Sequence, residues 1–420
     1  METTKKTVLH DFHCQEGANM ALFGNYDMPL WYASGTKTEH LTVIKSAGIF
    51  DTSHMAVVTV KGAGARALLQ HCLTKDMDSC IGKNKTPLTE GRCVYGLFLD
   101  DDGLVIDDAI IYNLSTDSYM VVVNAGMGGS IAKHLENQSQ GQTIRIEDLT
   151  DKVGKMDIQG PDSARVLSKI VKNPGQLFEK MMYFSFKGGF DSCEGTTTVQ
   201  LSDGTDVLVS RTGYTGEFGF ELFCEVKHLV SLWNQILEAG KDFSVIPCGL
   251  AARDSLRAGA VLPLSHQDIG HWPFAHTPWS FAIADKDENG EFTKDFHGAK
   301  ALLASDWQKH TLAFAGFDPR KIGAEDANYV TDLEGKKIGK ILTCTTDMAI
   351  GRVDGEIKSI AGNKELKLKG LCCGFVLLDR EVQQGEVILL TDGKRKIKVE
   401  IRTDIRPQRT ARCAIGTMVD

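Results

Sequence analysis

Two adjacent carboxylates, Asp107 and Asp108, stand inside an otherwise apolar run, GLVIDDAIIYN, at positions 103–113. Burying an unpaired charge is strongly unfavourable. Neighbouring side chains on a strand point to opposite faces, so only one of the two acids can enter a given pocket. A carboxylate in an apolar cleft is poised to hold or move a proton. The other acid then caps a turn, pairs with Lys or Arg, or meets water. An exposed edge strand with two solvated acids accounts for the pair equally well.

Three further stretches carry candidate chemistry. SRTGYTGEFGFELF (210–223) is dense in Gly and Thr and holds Tyr214, Glu217 and Glu221. Its glycines allow close backbone approach to a ligand, and Tyr214 can stack on a flat ring or hydrogen-bond. No GKS or GKT follows, so it is not a phosphate loop, and an ordinary hairpin remains open. VIPCGLAARDSLRAG (245–259) reads as a helix. It presents Arg253 and Arg257 four apart on one face, able to bind carboxylates or to pair with Glu221 and Asp108; surface salt bridging is the alternative. NAGMGGS (124–130) fails the dinucleotide pattern, because Ile131 takes the place of the third glycine. His266, His271 and His276 share no helical face and are interrupted by Pro273, which favours loop histidines over a zinc site.

These residues need elements to position them. With 420 residues the chain exceeds a single core, and two or three domains are expected. The run from Cys93 reads as three strands, the first two joined by the turn signal DDDG. GAGARALLQHCLT, GGSIAKHLENQ and VKHLVSLWNQILEAG read as helices. GKMDIQGPDSARVLSKIV repeats the strand-to-helix step, with Pro161 in a helix's first turn. Helix and strand alternate through two similar blocks, which predicts sheets covered by helices. From about Thr311 short strands with glycine turns predict a small all-β barrel or sandwich, with the charged stretch 351–370 as a surface excursion.

Net charge is −8, which argues against a nucleic-acid partner. No apolar run of about 18 residues predicts a membrane span, and METTKKTVLHDFH lacks a signal core. A soluble, unexported, cytoplasmic protein is expected. Eleven cysteines, an odd number without a CxxC pair, suit reduced thiols. Adjacent Cys372 and Cys373 read as core rather than as a metal site, and no metal is expected.

Taken in order, FGNYDMPLWY, HLTVIKSAGIFDTSHM, GLVIDDAIIY, YMVVVNAG, IQGPDSARVL, RTGYTGEFGFEL and CGLAARDSLR resemble the glycine cleavage system T-protein family. The C-terminal GKILTCTT, CCGFVLLD and GEVILLTDGKRKIKVEI look like its terminal β domain. The resemblance implies an α+β fold of three domains in a cloverleaf ring around a central folate-binding hole. The expected divisions are a first α/β domain over 1–150, open to being discontinuous, a second over 151–305, and a small β-barrel over 306–420. It implies a tetrahydrofolate-dependent aminomethyltransferase. The carbon moves from aminomethyl-dihydrolipoyl H-protein to tetrahydrofolate, and ammonia is released. Asp107 matches the catalytic aspartate, facing folate, with Asp108 facing away. Glu221 and Arg253 match residues that grip the pterin; Met55, Tyr95, Asn124, Tyr214 and Trp279 match positions lining the pocket.

The chain also departs from the family pattern. The family's LRLEAG loses its glutamate, and Gly259 stands there. GGW near the start is Gly24-Asn25-Tyr26, the TSG turn is Thr343-Cys344-Thr345, and the usual acidic stretch is HQDIGHWPFAHTPW at 266–279. These departures suit a relative with a different one-carbon donor, so a folate-dependent demethylase acting on an O-, S- or N-methyl donor is the alternative. A non-catalytic folate-binding protein is disfavoured, because its KGCYxGQE-like segment is replaced by IPCGLAARDSLR.

Overall fold

The computed structural model describes residues 4–141 and 143–419. A five-stranded antiparallel sheet runs in the order Cys93–Leu99, Val105–Ser115, Ser118–Val123, Ala56–Lys61, Arg145–Asp148. The three strands expected after Cys93 are its first three members. Gly103 closes the DDDG turn with φ 74°, a left-handed conformation that glycine adopts without a Cβ clash, while Asp100 accepts the Asp102 and Leu104 amides. A second sheet runs Phe186–Gly188, Leu208–Ser210, Gly219–Glu225, Val153–Gln159, Gly48–Asp51, Ile246–Pro247. It therefore takes one strand, Gly48–Asp51, from ahead of the whole first sheet, whose strands all lie between residues 56 and 148.

Alternation along the strands gives each sheet two apolar faces. One face of the first sheet (Val58, Val60, Ala109, Ile111, Val121) packs on helices through Leu68, Leu69, Ile131 and Leu135. One face of the second (Met156, Ile158, Phe220, Leu222) packs on Val166, Leu167, Leu232 and Trp233. The other faces meet: Val57, Tyr112, Met120 and Val122 lie against Phe186, Leu208 and Phe223.

Residues 310–401 form the expected barrel, a closed ring of six strands. The stretch 351–370 is more than a surface excursion. Ile350–Val353 and Glu356–Ser359 pair as a hairpin, and Ile350, Ile357 and Ile360 are buried. The helix within 245–259 spans only Leu250–Gly259, since Ile246–Pro247 pairs in parallel with Gly48–Ile49. The helix Ser163–Ile170 likewise starts two residues after Pro161. Helix Leu250–Gly259 is the hub of the molecule, touching helix Gly35–Lys45, strand Tyr26–Trp31 and barrel strands Lys337–Asp347 and Leu371–Leu378. No helix among the described residues is long and apolar enough to cross a membrane.

Candidate functional site

The strand Val105–Ser115 decides what the two acids can do. Ile110, Tyr112 and Leu114 face the second sheet, and Tyr112, in the inter-sheet core, reaches Glu221 Oε2 with its hydroxyl at 3.2 Å. Asp108 shares that face and is only partly buried. Asp107 lies on the opposite face, 0% exposed. Asp108, not Asp107, is thus the acid on the strand face shared with Tyr112, whereas the resemblance implies Asp107 facing the pocket. Strand parity fixes the alternation but not which face becomes a site, and only the partner sheet settles that.

Both Asp108 oxygens are held. Tyr95 donates its hydroxyl to one at 2.6 Å, and Asn124 Nδ2 donates to the other at 2.5 Å. Burial, then the neighbouring charge of Asp107, pushes the Asp108 carboxyl up to about 6. Asp107 accepts the Asn124 amide N–H at 3.0 Å, Asn124 Nδ2 at 2.7 Å and Ser265 Oγ at 2.7 Å, with His266 Nε2 at 3.3 Å.

The second sheet supplies an alternating acid–base strip. Glu221 is directly across from Asp157, and Lys155 is two residues along on the same face. Lys155 Nζ bridges Glu221 Oε1 at 2.6 Å and Asp157 Oδ1 at 2.8 Å. Arg253, 9% exposed, donates to Asp157 Oδ2 at 2.7 Å and lies 4.9 Å from the centre of the Tyr214 ring. Arg253 thus pairs with Asp157, not with Glu221 or Asp108. Arg257 turns the other way, to Asp254 and Asp268. Glu221, 4% exposed, also accepts from Tyr112 and Thr212. A carboxylate has about four lone-pair sites, so one remains for a ligand N–H.

Of the other expected residues, Met55, Tyr95, Asn124 and Tyr214 are all half-buried around this cluster. Trp279 lies deeper, in the apolar cluster against which Tyr95 packs. It is 0% exposed, donates Nε1–H to Val261 O at 2.9 Å and packs edge-on against Phe375 in the barrel-side core. Phe281 is 51% exposed, with its ring 5.8 Å from that of Tyr95. Sequence reading missed Lys155, Asp157, Tyr112, Phe281 and His54. The signal for the first two was present: Lys and Asp two apart in VGKMDIQ can only share one face of a buried strand. His54 is buried beside Met55, and its Nδ1 has no partner. The three loop histidines go to separate places: His266 to Asp107, His271 to Asp100, and His276 against His310.

The missing family glutamate has a structural counterpart. A Cβ on Gly259 would fall on the Asp347 carboxylate and against Arg406. Asp347 accepts from Arg406 Nη1 at 2.5 Å and from His40 Nε2 at 2.9 Å, and Arg406 also meets Glu217. A barrel carboxylate occupies the space a longer side chain at 259 would need.

Residues 9–274 match the family model described as "GCVT N-terminal domain". An aminomethyltransferase of Caldanaerobacter subterraneus subsp. tengcongensis is 32% identical over 382 residues, covering 87% of this chain and 94% of the relative. One of Geobacillus kaustophilus is 31% identical over 373 residues, covering 87% and 95%. The crystal structure of glycine cleavage system aminomethyltransferase T from Bartonella henselae superposes with a TM-score of 0.74 at 25% identity, covering 95% of this chain and 97% of that one. The site described above lies largely within the matched residues, and this chain belongs to the GCVT family of aminomethyltransferases.

Proposed function

We propose that the protein is the aminomethyltransferase of a glycine cleavage system, with tetrahydrofolate accepting the carbon and a lipoyl-bearing H-protein presenting it. The observation that carries this reading is the single strand face that aims Asp108 at the site while its neighbour Tyr112 contacts Glu221. That face combines a proton-handling carboxylate with an anchor for a polar heterocycle. The residues suit a reduced pterin. Glu221 retains an acceptor site for a ring N–H, Tyr214 and Phe281 offer aromatic faces, and His54 Nδ1 is a buried polar atom awaiting a partner.

Tetrahydrofolate, when bound, supplies the amine nitrogens that take up the one-carbon unit as ammonia leaves. The chain's own work is positioning and proton management. Glu221, held by Lys155, Tyr112 and Thr212, orients the heterocycle. Arg253, tied to Asp157, lies against Tyr214 and fixes the wall on which a ring can stack. Asp108, held from both sides by Tyr95 and Asn124, accepts or returns a proton at an amine nitrogen. A carboxyl that titrates near 6 can do both close to neutral pH. Asp107 holds Asn124 and takes no direct part.

The test is Asp108→Asn beside Asp107→Asn. Asp108→Asn is expected to lower kcat by about 10²–10⁴-fold, with the Kd for tetrahydrofolate changed less than about threefold. Equal loss of turnover and affinity would remove Asp108 from the chemistry. Comparing the lipoyl-aminomethyl donor with a panel of O-, S- and N-methyl donors checks the donor class, and turnover with a methyl donor alone would overturn the reading.

A further inference from the structure

The loop in which this chain departs from the family begins at the reactive carboxylates. Ser265 and His266 follow the hub helix and fold back so that both reach Asp107, one by its hydroxyl at 2.7 Å, the other by its imidazole at 3.3 Å. His266 adopts φ 62°, a left-handed conformation uncommon for a side chain of its size. The surroundings hold it there, with half of the imidazole open to solvent and the paired carboxylate sealed.

We infer that His266 is a positioning residue that sets the proton affinity of Asp108 by acting through Asp107 and Asn124. This rests on the reading of Asp108 as the proton-handling group. Asn124 Nδ2 carries two hydrogens and gives one to each carboxylate, at 2.7 and 2.5 Å, so the two acids are mechanically as well as electrostatically joined. A cation at His266 compensates the Asp107 charge. The ionised form of Asp108 then meets less repulsion, and Asn124 stays bridged between the two.

The other groups facing the pair do not supply that charge. Tyr95 and Tyr214 are both pushed up by burial and stay neutral near pH 7. Arg253 is committed to Asp157, and Arg257 to Asp254 and Asp268. His266 is raised from its ordinary value, first by its bond to Asp107 and against the opposing effect of burial. Its bond to Asp107 thus favours the charged imidazolium, and its solvent-facing ring connects the sealed pair with bulk protons.

The experiment uses the full chain labelled with carboxyl-¹³C aspartate and follows the Asp108 resonance, assigned by its loss in Asp108→Asn, from pH 4 to 9. His266→Asn and His266→Gly are both compatible with a left-handed backbone and keep the chain folded. In both, the Asp108 midpoint is expected to rise by half a unit or more, and the acid limb of kcat to move up with it. The Kd for tetrahydrofolate is expected to stay within twofold. In Asp107→Asn, adding His266→Asn is expected to move the midpoint less than it does in the parent, leaving only the direct effect of the His266 charge on Asp108. An unmoved Asp108 midpoint in folded His266 variants, or an equal shift in the Asp107→Asn background, overturns the inference. Absence of aminomethyl transfer by the unsubstituted protein sinks the functional reading instead. The carboxyl titration needs no turnover and decides the role of His266 by itself.

Discussion

Asn124 donates from one amide nitrogen to both Asp107 and Asp108, at 2.7 and 2.5 Å, while its backbone N–H binds Asp107 as well. The adjacent acids are thus one unit with an inside and an outside member. The outside member carries the abnormal titration. Its carboxyl is raised to about 6, by burial first and by Asp107 second.

That shift has a stability consequence with a definite sign. The folded chain holds the Asp108 proton more tightly than the unfolded chain. The associated stabilisation is full below the unfolded carboxylate value and is lost as pH rises through about 6. Asp108→Asn should therefore match the parent near pH 4 and exceed it at pH 7, by on the order of 2 kcal/mol. Urea unfolding at the two pH values measures it. An Asn variant no more stable than the parent at pH 7 would refute the burial argument.

Trp279 and Phe281 should separate cleanly. Trp279→Phe shortens a fully buried side chain and strands the Val261 carbonyl. It should cost roughly 2–4 kcal/mol and leave tetrahydrofolate affinity alone. Phe281→Ala, at an exposed position, should change stability by about 0.5 kcal/mol or less and raise the KM for tetrahydrofolate severalfold. The reverse pattern would return Trp279 to the pocket.

Gly259 and Asp347 compete for one space. Gly259→Ala should destabilise by about 1–3 kcal/mol through overpacking. Gly259→Glu alone should do worse, and the pair Gly259→Glu with Asp347→Gly should recover much of the loss by returning a carboxylate to Arg406 from the helix. Thermal unfolding of the single and double variants decides it; strictly additive losses would mean that the two carboxylates are not interchangeable.

Lys155 stands between Asp157 and Glu221 with almost no exposure. Lys155→Met leaves two buried carboxylates short of a partner and should cost roughly 3–5 kcal/mol at pH 7. Lys155 is the first charge that holds the Asp157 carboxyl low, so losing it raises the proton affinity of Asp157 and the deficit should shrink as pH falls toward 5. A deficit flat across that range would mean that the neighbouring donors already compensate them.

Most elements were legible because their periodicity is strong. The three strands after Cys93, helix Leu229–Ala239 and the β-rich C-terminal third follow from spacing and turn residues alone. Pattern could not reveal contacts between units. Gly48–Asp51 reads as an ordinary strand, yet it crosses to the second sheet. The charged stretch 351–370 hides most of a hairpin whose Ile350 and Ile357, with Ile360 just beyond, find apolar partners far away in sequence. The site divides the same way. Residue types at 107, 108, 221 and 253 announced chemistry, but which acid faces inward depends on the sheet opposite. Which of Trp279 and Phe281, two positions apart, is sealed and which exposed was not readable, because a loop without periodicity gives no parity to count.

The second sheet's helix-side core takes Leu9 from one end of the chain and Ile415 from the other. Buried Arg211 is bonded to the carbonyls of Ala411 and Cys413. During synthesis the strands between 153 and 225 must therefore wait, unsealed, until the barrel has left the ribosome. At ~5–20 residues per second that interval is on the order of ten seconds or more. Over that time an incomplete apolar surface is available to chaperones, and a premature stop just short of residue 415 would leave the nascent chain permanently in that state.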